Sequence, residues 1–146
     1  MKRDMPEVEG HILAFDYGQK RTGVAIGELG SRICHPLTTI EASSSEARWQ
    51  AVNKLLKEWA PVGLVVGLPL DADGAEQKAT RLCRNFANEL ESRTGLPTAL
   101  VDERFTSLEA DQSLRDRGYS YQLRAVAEHA EAATLILRSY LESQHT

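Results

Sequence analysis

Asp16 ends an apolar run that begins at His11, and a turn containing Gly18, Lys20 and Arg21 separates it from a second apolar run. A carboxylate at the end of a buried strand is costly unless it is paired or binds a metal ion. Asp16 is therefore a candidate catalytic or metal-binding residue. The alternative is an aspartate that only starts the turn by bonding to its own backbone.

Two later strand ends carry polar or glycine-containing segments. Residues 64–67 form a short apolar run that ends at Gly67, and residues 98–102 form another that is followed by Glu103 and Arg104. If both strands lie parallel to the first, all three carboxyl ends meet at one edge of the sheet. Clustered carboxylates repel one another unless cations lie among them, and Mg²⁺ or Mn²⁺ suits such an oxygen-rich site. These ions activate water and stabilise displacement at phosphorus.

Each of these segments also has a simpler interpretation. Asp102 to Arg104 would be a solvated loop with a local ion pair, Gly67 a part of a strand-to-helix turn, and Lys20 with Arg21 a solvated hairpin tip. Their shared position at one predicted edge favours the functional interpretation. Arginine contacts phosphate in a bidentate manner and lysine acts as a point charge. Lys20, Arg21 and Arg104 are therefore candidates for substrate binding, and Gly67 at the end of the fourth strand is a further candidate.

The elements that position these residues follow from hydrophobic periodicity and turn signals. Pro36 suggests that the third strand is an edge strand or contains a bulge. The order β-β-β-α-β-α-β-α-α predicts one α/β domain over residues 11–142, between terminal tails at 1–10 and 143–146. We expect a mixed five-stranded sheet, antiparallel in its first three strands, with helices on its faces. The predicted strands cover residues 11–16, 22–26, 32–40, 64–67 and 98–102, and the predicted helices cover 46–60, 75–93, about 107–117 and 121–141.

Composition limits the function classes. The chain has 146 residues, 42% of them hydrophobic and 26% charged, as is typical of a soluble globular domain. Its net charge of −4 argues against binding nucleic acid through bulk charge, although a local basic groove remains compatible. No apolar run reaches the roughly 20 residues that span a bilayer, and the charged N-terminus lacks a secretion signal. We therefore expect a cytoplasmic protein whose Cys34 and Cys83 are buried thiols.

Four segments resemble, in order, the motifs of one family. Residues 13–25, Leu-Ala-Phe-Asp-Tyr-Gly-Gln-Lys-Arg-Thr-Gly-Val-Ala, resemble the opening motif of the YqgF (RuvX-type) family of Holliday junction resolvases, also described as pre-16S ribosomal RNA nucleases. Residues 65–70 with 73–74, residues 101–107, and residues 132–137 with Tyr140 resemble its later motifs. The match spans residues 11–142, and the ordered set of four motifs makes it specific.

The resemblance implies a ribonuclease H-like fold and cleavage of phosphodiester bonds with Mg²⁺ or Mn²⁺. It also implies a cytoplasmic role in maturing the 5′ end of small-subunit ribosomal RNA, with precursor RNA and the ribosome as partners. Asp16 becomes the metal ligand on the first strand. The second acidic position falls at Asp102 or Glu103, and strand alternation allows only one of them to point into the site.

The last motif departs from the family pattern. The family usually has an acidic residue three positions before the paired alanines that match Ala132 and Ala133, whereas this chain has His129. Imidazole binds Mn²⁺ or Zn²⁺ but fits Mg²⁺ poorly, and it can act as a general base. We therefore expect His129 to contribute to catalysis and to favour Mn²⁺. The alternative is a tolerated helix residue in a weakened or inactive site.

Three functions are compatible with these observations. The first is a metal-dependent nuclease acting on structured RNA or, alternatively, on branched DNA as a junction resolvase. Junction cleavage needs two symmetric cuts and hence a dimer, whereas RNA trimming does not, so either a monomer or a weak homodimer is expected. The second is a non-catalytic RNA-binding factor for ribosome assembly. The third is a nucleotide-binding fragment of the actin-like type, which no P-loop signature supports.

Overall fold

The computed structural model describes residues 9–70, 73–102 and 121–143, the last range with side chains from His129 onward. The elements follow the predicted order, although the predicted helix near residues 107–117 lies outside the described residues. The strands are β1 (His11–Asp16), β2 (Arg21–Glu28), β3 (Cys34–Glu41), β4 (Gly63–Leu68) and β5 (Thr98–Asp102). The helices are α1 (Ser45–Trp59), α2 (Lys78–Thr94) and α3 (Tyr121–Ser143).

The five strands form one mixed sheet in the order β3-β2-β1-β4-β5. β1 is central, antiparallel to β2 and parallel to β4, and β5 runs parallel to β4. The carboxyl ends of β1, β4 and β5 therefore lie at the same edge of the sheet, which we call the carboxyl edge. This arrangement confirms the predicted convergence of the three strand ends.

The sheet is covered by helices on both faces, as predicted. On one face, the α1/α2 face, Leu13, Phe15 and Val66 pack against helices α1 and α2. On the other face, the α3 face, Ala14 and Val65 pack against helix α3. Successive side chains of a strand point to opposite faces of the sheet. The residues just named therefore show on which face any other residue of the same strand lies.

The central strands are buried because their sequences are apolar on both sides. Every residue of β4 is buried, as are the four inner residues of β1. β3 lies at the edge of the sheet, and its pairing with β2 shifts register between Val24 and Ala25, which pair with Thr38 and Pro36 respectively. The prediction of an edge strand or a bulge at Pro36 is thus confirmed on both counts, since proline has no N–H to donate to the ladder.

Helix α1 has the caps that its sequence suggests. Ser44 is the N-cap, and its hydroxyl accepts a hydrogen bond from the backbone N–H of Ala47 at 3.2 Å. The helix ends at Ala60, which adopts a left-handed conformation at φ 44°, directly before Pro61. A residue preceding proline is disfavoured in the helical conformation, so the chain leaves the helix here.

Helix α2 begins at Lys78, three residues later than the predicted start at residue 75. Glu76 instead forms an isolated antiparallel bridge with Leu70. Gln77 then caps the helix reciprocally with Thr80, whose side chain accepts a hydrogen bond from the backbone N–H of Gln77 at 3.0 Å. Residues 75–77 have ordinary helix propensities, so the backbone bridge overrides the local preference.

Neither cysteine forms a disulfide. Cys83 is buried in the α1/α2 core, in agreement with the prediction, whereas Cys34 is only partly buried. Burial raises the pKa of the Cys34 thiol, and the nearby Arg138 partly opposes this effect. Cys34 is therefore a protonated thiol at neutral pH.

Helix α3 covers the other face of the sheet with a buried stripe that includes Ala133, Ile136 and Leu137. In the described part of the chain, no helix is both long and apolar enough to cross a membrane. Helix α3 places His129, its first residue with a described side chain, next to Asp16 at the carboxyl edge.

Candidate active site

Asp16 is the last residue of the central strand β1. Its alternation with Ile12 and Ala14, which pack against α3, places it on the α3 face of the sheet. Its side chain is only 17% exposed. A carboxylate this shielded at the end of a central parallel strand occupies the position where ligands bind in open α/β sheets.

Small residues flank Asp16 on both neighbouring strands. Gly23 of β2 lies opposite Asp16 in the antiparallel ladder. Gly67 of β4 lies one position beyond the last registered pair of the parallel ladder, Phe15 with Val66. Gly67 is buried and shares the α3 face with Val65. Neither neighbouring strand therefore places a side chain beside the Asp16 carboxylate on the α3 face.

Gly23 allows helix α3 to rest directly on the sheet. A Cβ atom at Gly23 would lie 1.8 Å from the carbonyl oxygen of His129 and 2.7 Å from the backbone nitrogen of Ala130. Both contacts are with backbone, which cannot rotate away as a flexible side chain can. The absence of a side chain at Gly23 is therefore what lets the helix approach close enough to bring His129 to Asp16.

His129 contacts Asp16 directly. Its Nδ1 atom lies 3.8 Å from Oδ2 of Asp16, and its side chain is 34% exposed. This distance is too long for a hydrogen bond and suits an ion pair when the imidazole is protonated. The predicted residues Asp16 and His129 are therefore brought together, although they lie more than a hundred positions apart in sequence.

Asp102 does not join this pair. It is the last residue of β5 and pairs in register with Leu68, which packs on the α1/α2 face. Leu100, two residues earlier on β5, packs on the same face. Strand alternation therefore directs exposed Asp102 to the face opposite Asp16. Its structural position separates it from the group that Asp16 and His129 form.

Glu103 and Arg104 lie outside the described residues.

Lys20 and Arg21 line a cleft beside the site. The cleft has a volume of about 850 Å³ and is bordered by the turn of residues 18–21, the segment of residues 41–43 and His129. Arg21 forms an ion pair with Glu41 at 3.3 Å, and both side chains are about half exposed. Lys20 is exposed. The two predicted substrate-binding residues thus share one open cleft with His129.

Asp16 and His129 are neighbours at the position of a candidate cation site. Neighbouring ligand atoms of an octahedral ion with bonds of about 2.0–2.1 Å lie about 2.9 Å apart. The 3.8 Å between Nδ1 and Oδ2 is longer, so the two side chains must approach by about 0.9 Å to bind one ion as neighbouring ligands. Among the side chains described in residues 9–102 and 129–143, no group of three or more His, Cys, Asp or Glu is placed to hold a metal. A metal site here would therefore need at least one further ligand, such as a carboxylate or a substrate phosphate.

Two residues that support the site were not singled out in the sequence. The sequence does indicate a role for Gly23, because a glycine inside a strand is typical of a close approach by another backbone. The indication for Arg48 is weaker: it is a charged residue on the same helical stripe as apolar Val52 and Trp59. In the structure Arg48 is only 7% exposed.

The fold is shared with two proteins whose structures were solved in complex with Holliday junctions. The chain superposes on Fowlpox virus resolvase in complex with Holliday junction DNA with a TM-score of 0.59, at 13% identity over 93% of this chain and 99% of that one. It superposes on Thermus thermophilus RuvC bound to a Holliday junction with a TM-score of 0.56, at 12% identity over 92% and 94% of the two chains. These similarities confirm the predicted ribonuclease H-like fold.

Sequence comparison identifies much closer relatives. A protein of Thiobacillus denitrificans named "Putative pre-16S rRNA nuclease" is 48% identical over 140 residues, covering 96% of this chain and 97% of the relative. A protein of the same name from Dechloromonas aromatica is 48% identical over 136 residues, covering 93% of each chain. The RuvX family model, described as Holliday junction resolvase, matches residues 10–143. The chain therefore belongs to the RuvX family.

Proposed function

We propose that this protein is a divalent-metal-dependent nuclease that trims the 5′ end of precursor 16S ribosomal RNA in the cytoplasm. The observation that carries the proposal is the convergence of Asp16 and His129 at 3.8 Å on the carboxyl edge of a ribonuclease H-like sheet. The names of the close relatives supply the substrate class.

Asp16, His129 and Glu103 form the proposed metal-binding group. Asp16 is fixed by its place at the end of the most central strand, and His129 by the packing of α3 on Gly23. Glu103 is preferred to Asp102 because the alternation of β5 directs Asp102 to the opposite face. A divalent ion bound there would activate a water and offset the charge that develops on the phosphate.

The protein's own groups orient the substrate. Lys20 and Arg21 border the cleft that opens beside His129, so a nucleic acid strand lying in this cleft would have its backbone phosphates next to both cations. Arg104, the third predicted contact, follows Glu103 directly in sequence. The imidazole of His129, when it is not a ligand, would accept the proton of the attacking water as a general base.

A second candidate function is cleavage of four-way DNA junctions. The observation that favours it is the fold similarity to two junction resolvases with TM-scores of 0.59 and 0.56. Similarity of fold alone leaves the substrate open, because one fold hosts many activities. The relatives at 48% identity carry the RNA assignment, so we rank the RNA function first.

Parallel assays of two substrates distinguish these functions. The purified protein would be incubated with a labelled 5′ precursor fragment of 16S ribosomal RNA and, separately, with a labelled four-way DNA junction, each with Mn²⁺ or Mg²⁺. The RNA proposal predicts metal-dependent cleavage of the RNA at a rate well above that of the junction. Faster cleavage of the junction would instead support the second candidate. Binding without cleavage of either substrate would indicate a non-catalytic assembly factor.

A further inference from the structure

Arg48, near the start of α1, is a charged residue in a buried position. It is only 7% exposed, and a buried cation is costly unless it is well partnered. One partner is the backbone carbonyl of Gln19, which accepts a hydrogen bond from a terminal guanidinium nitrogen of Arg48 at 2.6 Å. A second is the ring of Tyr17, whose centroid lies 5.1 Å from the guanidinium carbon.

Both partners belong to the turn that directly follows Asp16. Tyr17 also stacks on Phe86 of α2, with ring centroids 4.6 Å apart, so the start of the turn is tied to the core of the α1/α2 face. The contact between Arg48 and Gln19 joins residues 29 positions apart. It therefore attaches the turn to helix α1, whereas a bond between two residues of the turn would only close the turn locally.

Other bonds fix the rest of the turn. The backbone N–H of Ala42 donates to the carbonyl of Lys20 at 3.0 Å. The hydroxyl of Thr22 donates to the carbonyl of Gly18 at 3.2 Å. Consecutive carbonyls at residues 18, 19 and 20 are thus each held by a different donor. Arg48 supplies the central one.

We propose that Arg48 is a positioning residue, which fixes the turn of residues 17–21 so that Lys20 and Arg21 meet the substrate backbone in a preformed cleft. The substrate part of this inference rests on the proposed nuclease function, whereas the control of the turn does not. A turn that is ordered before binding loses less conformational entropy on binding, so the preformed cleft binds more tightly. Arg48 touches neither the substrate nor the reacting atoms in this scheme.

The test compares Arg48→Met with a matched control, Arg93→Met. Arg93 of α2 lies 4.4 Å over the ring of Trp49, and Trp49 packs on the same Phe86 as Tyr17 does. The control therefore removes a cation–π contact from the same aromatic cluster without touching the turn. Arg48→Lys retains a donor and should restore part of the function.

The first readout is amide hydrogen exchange in the free protein. Arg48→Met should accelerate by about tenfold or more the exchange of the amides of Gly18 and Ala42, which are bonded into this turn, while Arg93→Met leaves these amides unchanged. Unchanged exchange in Arg48→Met would overturn the proposal. This measurement needs no substrate, so it decides the role of Arg48 at the turn even if the protein cleaves no nucleic acid.

The second readout is a double-mutant cycle on cleavage of the 5′ precursor fragment of 16S ribosomal RNA. Arg48→Met should raise KM roughly tenfold with kcat little changed, the size expected for losing one charge-assisted hydrogen bond. In a Lys20→Ala/Arg21→Ala background, the same change should raise KM less than about twofold, because Arg48 acts through these two side chains. An additive effect, or a loss of kcat at constant KM, would overturn the proposal. If the unchanged protein neither binds nor cleaves the RNA, the nuclease proposal fails. The amide exchange measurement alone then decides whether Arg48 orders the turn.

Discussion

His129 lies 3.8 Å from Asp16, so we expect it to influence which metal ion the proposed site prefers. A carboxylate suits both Mg²⁺ and Mn²⁺, whereas an imidazole ligand fits Mg²⁺ poorly and is better tolerated by Mn²⁺. The proposed role of His129 as a ligand therefore predicts a preference for Mn²⁺.

We predict cleavage about tenfold faster with Mn²⁺ than with Mg²⁺, a difference of about 1.4 kcal/mol in the activation free energy. His129→Asp should reduce or reverse this preference, because it restores an all-oxygen ligand set. His35→Asp is the matched control, since His35 is exposed on the edge strand β3. Rates would be measured over a titration of each metal. Equal rates with both ions in the unchanged protein would exclude His129 as a ligand that selects the metal.

At the scale of elements, the alternation of strand β5 predicts which of two adjacent acidic residues is needed. Asp102 shares a face with Leu68 and Leu100, opposite Asp16. We predict that Glu103→Gln lowers kcat by about 100-fold or more, equivalent to about 2.7 kcal/mol, whereas Asp102→Asn changes it only a few-fold. Single-turnover kinetics at saturating Mn²⁺ would measure both variants. A large loss of kcat in Asp102→Asn with little loss in Glu103→Gln would contradict the assignment of Glu103 as the ligand.

The packing of α3 on β2 gives a second prediction at this scale. Gly23→Ala would place a methyl group 1.8 Å from the carbonyl oxygen of His129, so the helix must shift. Overpacking of this kind costs about 1–3 kcal/mol of the free energy of unfolding, and the shift moves His129 away from Asp16.

Chemical denaturation and cleavage assays would test both effects of Gly23→Ala. Gly30→Ala is the control, because a Cβ atom there meets nothing nearer than the Glu9 side chain at 3.4 Å. Its stability should stay within about 0.5 kcal/mol of the unchanged protein. A Gly23→Ala variant with full stability and activity would refute the argument that this glycine sets the approach of the helix.

The sequence predicted the elements well where hydrophobic pattern and turn residues agree. β1 and β5 were predicted with their observed bounds, since each is a short apolar run that ends in an aspartate. The start of α2 was predicted three residues too early, because the bridge between Leu70 and Glu76 is a backbone contact without a side-chain pattern.

The candidate site was only partly predictable, because some of its contacts depend on strand register and on backbone groups. Asp16 and His129 were identified by residue type and by family resemblance, and the structure brings them together. The separation of Asp102 from Asp16 needed the strand register, which sequence alone did not supply. The role of Arg48 depends on a contact across 29 residues with a backbone carbonyl, and no side-chain pairing reveals such a contact in advance.

At the scale of the whole molecule, the oligomeric state bears on the choice of substrate. Paired symmetric cuts in a junction require a dimer. Stable dimers bury large apolar patches, and among the described residues Ile33 is the one large hydrophobic side chain that is exposed. We predict a monomer of 16.2 kDa by size-exclusion chromatography with light scattering at micromolar concentration.

The predicted monomeric state also has a consequence for activity on DNA. A monomer acting on a labelled four-way junction should produce only single, unpaired nicks. Paired symmetric cuts, together with a mass near twice that of the monomer, would contradict the prediction and favour the resolvase function.

If Asp16 holds the metal ion that drives cleavage of ribosomal RNA, removing its charge should abolish the reaction. Cleavage of the labelled 5′ precursor fragment of 16S ribosomal RNA would be measured with Mn²⁺ for the unchanged protein and for Asp16→Asn, which keeps the size of the side chain and removes its charge. Circular dichroism would verify that both fold alike. We predict metal-dependent cleavage that falls by at least about 1,000-fold in Asp16→Asn, about 4 kcal/mol of transition-state stabilisation. Cleavage that persists within a few-fold in the folded variant would contradict it.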